Sequence, residues 1–233
     1  MPDCPFYFTD VFTQGPYSGN LLATLIPTEP LSDSIMQAIA REINFSETSF
    51  VTGGSLRRGF DTRIFTPYEE IPFAGHPVLG SAFVVRKAFG LQSSSQVELN
   101  LEGGKVPVSF KESGFQFFTR HEVQIAEVED LAGLTQDLGL QSEDIDSRYP
   151  CCRASAGLRF LIIPLVSVAA LRRLDSSQLK CQEPVFFFAP ADAGMAEQIR
   201  ARMFAPALGV VEDAATGSAS WALGGYLVEY EYF

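Results

Sequence analysis

Two similar segments, far apart in the chain, constrain its fold most. Phe65-Thr-Pro is followed, eight residues after its proline, by Gly75-His76 and an apolar helical stretch; Phe204-Ala-Pro is followed, eleven residues after its proline, by Gly217-Ser218 and another. A repeated strand end, glycine and apolar helix predicts a chain of two similar halves. We divide it at 1–112 and 113–233, with central helices from about 76 and about 217. A length of 233 residues allows each half its own core.

The intervening pattern is mixed α and β, with strands outnumbering helices. Pro5 to Phe12 combines aromatic and β-branched residues as a strand does. From Ser32, a plausible cap, Ile35, Met36, Ile39, Ala40 and Ile43 follow a helical period. Asn44-Phe-Ser-Glu-Thr-Ser-Phe-Val then reads as a turn leading into a strand. Gln96 to Thr119 alternates with glycine breaks, as hairpins do, and Leu131 to Ser147 carries a weak helical pattern. Phe160-Leu-Ile-Ile-Pro-Leu-Val and Pro184-Val-Phe-Phe-Phe-Ala have the composition of buried strands.

Charge narrows the partners. Seventeen basic against 28 acidic side chains leave a net charge of -11, which repels nucleic acid and anionic membrane surfaces. No stretch approaches the roughly 18 apolar residues of a membrane span, and the N-terminus lacks the basic-then-apolar pattern of a secretory signal. The expectation is a cytoplasmic protein acting on a small molecule. Cys4, Cys151, Cys152 and Cys181 have neither disulfide-framework nor zinc spacing and read as reduced structural thiols.

Chemistry concentrates at the two predicted helix starts. A helix N-terminus presents unpaired N–H groups and partial positive charge, and glycine lets an anion approach it. Gly75-His76 and Gly217-Ser218 therefore form candidate carboxylate seats, although glycine and serine also serve simply to begin buried helices. His76 is one of two histidines, the other being His121 in the polar run Thr119-Arg-His-Glu. Histidine exchanges protons near neutral pH, but at a helix start it is also a common structural residue. Glu47 occupies a short polar gap where burial would raise a carboxyl pKa, unless the gap is a surface turn. Asp213, after Glu212, precedes the second helix start. Asp213 and Glu212 also suit a helix dipole; only as a constellation do Glu47, His76 and Asp213 point to a proton-transfer site.

The segments Asp10-Val-Phe-Thr-Gln-Gly-Pro-Tyr-Ser-Gly-Asn, Ile39-Ala-Arg-Glu-Ile-Asn-Phe-Ser-Glu-Thr-Ser-Phe-Val, Phe65-Thr-Pro with Pro72-Phe-Ala-Gly-His-Pro-Val-Leu-Gly-Ser-Ala, and Gly209-Val-Val-Glu-Asp-Ala-Ala-Thr-Gly-Ser-Ala resemble the phenazine-biosynthesis PhzF-like family, which shares the diaminopimelate epimerase fold. The resemblance implies an α+β protein of two pseudo-symmetric halves, each a curved sheet or barrel around a central helix, with the active site in the cleft between them. It implies an isomerase, epimerase or cyclase of small-molecule, secondary metabolism that needs no metal or organic cofactor. Glu47 matches the acid/base, His76 and Asp213 the supporting polar groups, and Asn20, Ser46, Gly75, Gly217 and Ser218 the substrate-binding positions. The substrate is expected to be a small carboxylic acid, and a homodimer is implied.

The epimerases of this fold use a cysteine at each helix start. Here the four cysteines fall elsewhere, which argues against thiol-based racemisation. Leu21 and Ala214 stand where the family commonly has proline, and relatives usually continue for several strands beyond the second central helix, so the second half is expected to lack its final strands. The alternative function is a noncatalytic small-acid binder, or an inactive variant shortened at its C-terminus.

Overall fold

Two compact units, Met1–Arg120 and His121–Phe233, make up the chain. The computed structural model describes residues 3–13, 15–112, 114–117, 122–128, 130–155, 158–194 and 198–233, the side chains of Leu131 and Ala132 excepted. Residues 118–121, and with them His121 and the end of the expected hairpin region, lie outside the described residues.

The first unit opens with strands β1 (Phe6–Val11) and β2 (Asn20–Leu25), paired antiparallel from Phe6↔Leu25 to Val11↔Asn20. Helix α1 (Asp33–Ile43) then carries the chain back, so that β3 (Thr48–Ser55) lies parallel to β2. Ser32 caps α1 by accepting the Ile35 N–H, as expected, and Asn44 ends it in the left-handed region at φ 56°. The buried face of α1 is offset from the isoleucine row: Met36 and Ala40 are fully covered, whereas Ile35 is 48% exposed. Contact with Phe50 and Phe65, not periodicity alone, decides which stripe faces inward.

Strand β4 (Gly59–Phe65) pairs antiparallel with β3; the short β5 (Glu70–Ile71) pairs with the end of β4. Helix α2 (Gly75–Ala88) follows, then β6 (Gln96–Leu101), β7 (Gly104–Lys111) and β8 (Gly114–Phe117). The sheet order is β1-β2-β3-β4-β6-β7-β8, with β6 parallel to β4. Alternate residues serve opposite faces: Val51 joins Val97, Leu99 and Val108 around α2, while neighbouring Phe50 packs toward α1. The sheet curves around α2, which touches seven of its strands. Close approach depends on Gly80, where an added Cβ would lie 2.5 Å from Leu22 Cδ2.

The second unit repeats this order of connections. After β9 (Gln124–Glu127) and α3 (Leu131–Asp137), the hairpin β10 (Cys152–Ser155) and β11 (Arg159–Pro164) corresponds to β1 and β2. Helix α4 (Val168–Arg173) returns the chain to β12 (Val185–Pro190), parallel to β11. Antiparallel β13 (Ile199–Ala205) and β14 (Val210–Asp213) follow, then α5 (Gly217–Glu229). Sheet order is β14-β13-β12-β11-β10-β9. Phe187 and Phe204 face α3 and α4, whereas Phe186, Phe188 and Met203 face α5. Tyr226, fully buried, anchors α5 by donating its hydroxyl to the Pro150 carbonyl at 2.9 Å. The α+β architecture is as expected, but this second sheet is a half-barrel that supports α5 from one side.

Candidate active site

In the first unit, three chain segments bring polar side chains to one end of the sheet. Asn20 begins β2, Glu47 immediately precedes β3, and β2 and β3 are parallel neighbours whose starts lie together. Helix α2 begins beside them, and its second residue is His76. Gly80, one turn further along, seats the helix against Leu22 and Val11 and so fixes where the imidazole falls.

His76 Nε2 lies 3.6 Å from Glu47 Oε2, and His76 Nδ1 lies 3.4 Å from Asn20 Nδ2. The imidazole and Asn20 are both buried, with His76 3% and Asn20 4% exposed. Burial holds His76 well below the ordinary histidine value, at about 4, although a hydrogen bond to the Leu21 carbonyl works in the opposite sense. The ring is therefore neutral at pH 7. The Glu47 side chain retains 17% exposure, enough to meet a ligand while resting against the imidazole. Its setting is not that of a freely solvated surface turn. Ser46, beside it, is half-buried.

The helix starts differ from the other helix starts in one respect. Ser32, Asp130 and Ser167 cap α1, α3 and α4 with side-chain acceptors, whereas Ala74 and Thr216, which precede α2 and α5, provide no such cap. Thr216 has a suitable hydroxyl but donates it to the Asp213 carboxylate. An uncapped helix start keeps backbone N–H groups available for an anionic ligand. Gly75 is buried; Gly217 and Ser218 are half-buried at the α5 start, and Asp213 is 9% exposed at the end of β14. Glu212, Asp213's neighbour, instead pairs with Arg202 on β13, with Nε–Oε1 at 2.7 Å. The use of Thr216 by Asp213, and of Asn20 by His76, was not legible from spacing, because each depends on side-chain direction.

Cys151 and Cys152, on successive residues of the β10 entry, point into opposite cores. Desolvation pushes their thiols up to about 11 and about 12, so they remain protonated and act as small apolar groups. Among the described residues, no three His, Cys, Asp or Glu side chains group as metal ligands. Nor is any described helix long and apolar enough to cross a membrane.

The chain is similar to known proteins in both sequence and fold. A trans-2,3-dihydro-3-hydroxyanthranilate isomerase of Pseudomonas aeruginosa is 35% identical over 226 residues, covering 95% of this chain and 78% of the relative. A crystal structure of a PhzF-family phenazine biosynthesis protein from Bacillus anthracis superimposes with a TM-score of 0.84 at 24% identity, covering 97% of this chain and 80% of that one. A predicted epimerase of Pseudomonas aeruginosa, 30% identical, gives a TM-score of 0.74 over 98% of this chain and 82% of its own. The fold is thus the epimerase-like one. The sequence profile of phenazine biosynthesis-like proteins matches residues 9–233, and the chain belongs to that family.

Proposed function

We propose that this chain, a small-molecule isomerase, moves a proton between carbons of a small carboxylic acid with Glu47 as the acid/base. The observation that carries the proposal is the partly exposed Glu47 carboxylate resting 3.6 Å from the buried Nε2 of His76, beside the uncapped start of α2. A hydrogen on carbon next to a carboxylate or an extended π-system is weakly acidic. Removing it requires a positioned base and a means of stabilising the charge left behind. Glu47 takes the proton and returns it to another carbon, so the same residue serves as base and acid. Neutral His76 holds the carboxylate, Asn20 holds His76, and backbone N–H groups at Gly75 receive substrate negative charge. Ser46 is placed to contact the same ligand.

The α5 start provides the equivalent groups in the second unit: Gly217 and Ser218 as an anion seat, and Asp213 as the supporting carboxylate. This assignment rests on family resemblance and on the diversion of Thr216 from capping. Chemistry of this kind requires no metal or organic cofactor, and the relative's named substrate, a dihydro-hydroxyanthranilate, belongs to the proposed class of carboxylated, conjugated acids. A homodimer in the cytoplasm remains the family-based expectation, open to sedimentation analysis and cell fractionation.

The test is deuterium incorporation from heavy water into unsaturated and amino-substituted carboxylic acids, including that relative's substrate. Wild type should exchange one carbon-bound hydrogen, and Glu47→Gln should slow the exchange by roughly 10²–10⁴-fold while keeping its circular dichroism. Equal exchange by both proteins would remove Glu47 from the chemistry. Saturable acid binding by wild type without exchange would favour the noncatalytic reading.

A further inference from the structure

The two uncapped helix starts share a device that lies upstream of them. In the first unit β4 leads out through Arg63-Ile-Phe-Thr-Pro, and Glu70 of β5 stands five residues before Gly75. In the second unit β13 leads out through Arg202-Met-Phe-Ala-Pro, and Glu212 of β14 stands five residues before Gly217.

Each arginine grips its glutamate with two nitrogens. Arg63 donates from Nε to Glu70 Oε1 at 2.7 Å and from Nη2 to Glu70 Oε2. Arg202 donates from Nε to Glu212 Oε1 at 2.7 Å and from Nη2 to Glu212 Oε2 at 2.8 Å. Each guanidinium also rests over the phenylalanine two residues ahead, 5.2 Å from the ring centre of Phe65 and 4.7 Å from that of Phe204. The remaining nitrogen reaches the helix that returns the chain in its unit. Arg63 Nη1 meets Asp33 in the first turn of α1 at 2.7 Å, and Arg202 Nη1 meets the Leu171 and Leu174 carbonyls at the end of α4 at 2.9 and 3.2 Å. These third contacts fall on unlike groups, so what the units have in common is the ring and the carboxylate.

A clamp is needed at both places for the same reason. Strand β5 is two residues long and meets β4 only at Ile64 and Phe65; β14 meets β13 at Met203 and Ala205, across an irregular register. Ladders so short hold a strand weakly, yet each leads directly into a helix whose first N–H groups must stay in one place. A capping side chain would fix the start but occupy those groups, as Ser32 does on α1. A planar fork bound twice to a carboxylate and stacked on a ring fixes position and orientation from a distance, and leaves the N–H groups open.

We propose that Arg63 and Arg202 are positioning residues, each locking to its sheet, through Glu70 or Glu212, the strand that feeds an uncapped helix start. Their meaning for catalysis rests on the function proposed above; the clamp itself does not.

The test follows the His76 ring, in the second residue of α2, by NMR in Arg63→Met, Glu70→Gln and the double variant. Methionine keeps an apolar stem and removes the fork; Arg63→Lys, which keeps the charge without the planar fork, is the milder variant should Arg63→Met fold poorly. Loss of the clamp should admit water to the ring and raise its titration from about 4 by roughly one pH unit. Amide exchange should quicken at Val78, whose N–H opens the helix by donating to the Ala74 carbonyl. The double variant should go no further than either single one, because both remove the same interaction. Arg202→Met should act instead on Ser220, whose N–H donates to the Thr216 carbonyl, and leave His76 and Val78 unmoved. For an exchanged acid, KM should rise roughly tenfold in Arg63→Met, more than kcat falls. A lower urea midpoint with the ring titration and both amides unchanged overturns the proposal, as does an equal effect of Arg202→Met on Val78 and Ser220. A wild type that exchanges no acid fails the proton-transfer reading, and the ring and amides still decide this one.

Discussion

Lowering the pH should destabilise the first unit through a single imidazole. His76 is 3% exposed and titrates near 4 because of its burial, against 6.5 in the unfolded chain. Between those values the unfolded state binds a proton that the native ring refuses. Stability from neutral His76 is therefore complete above pH 6.5 and is lost as pH falls toward 4. At about 1.4 kcal/mol per pH unit, the full interval amounts to about 3 kcal/mol, a sizeable part of the 5–15 kcal/mol that holds a typical domain together. Many carboxylates also titrate there, so the comparison must isolate the ring. Urea unfolding of wild type and His76→Gln, measured from pH 7.5 to 4.5, does so: wild type should lose about 2–3 kcal/mol more than the variant over that range. An NMR titration of the His76 ring gives the same answer without unfolding. Parallel stability curves, or a ring that titrates at 6 or above, would refute the reasoning.

Two further outcomes concern the helices that carry the candidate residues. Gly80→Ala should destabilise by about 1–2 kcal/mol in chemical denaturation, because overpacking against Leu22, Val11 and Thr9 exceeds the gain in helix propensity; displacement of the α2 start should also reduce any exchange activity. Tyr226→Phe should cost about 1–3 kcal/mol, read as a lower melting temperature, since the Pro150 carbonyl loses its donor while ring packing is kept.

The repeated Phe-x-Pro and Gly-initiated helix announced two related halves because strand ends, glycine and apolar periodicity are local signals. The same signals placed Ser32 as a cap and put Gly75 and Gly217 at helix starts. Glu47 stood out only through resemblance and its polar gap, since an acid between a helix and a strand is unremarkable until the parallel pairing of β2 and β3 brings it to Asn20 and His76. Direction was the missing quantity. Sequence spacing does not say that Thr216 turns from its helix to Asp213, that Glu212 turns to Arg202, or that Met36 rather than Ile35 faces the core.

What the sequence determined by itself was the inventory: two apolar helices begun by glycine, a histidine and carboxylates near their starts, and buried strands rich in phenylalanine. What only the tertiary structure decided was which of those groups meet and what water reaches them. Burial, not residue type, sets the His76 proton affinity. Strand coverage, not helix composition, separates enclosed α2 from half-open α5, because both depend on neighbours contributed by distant parts of the chain.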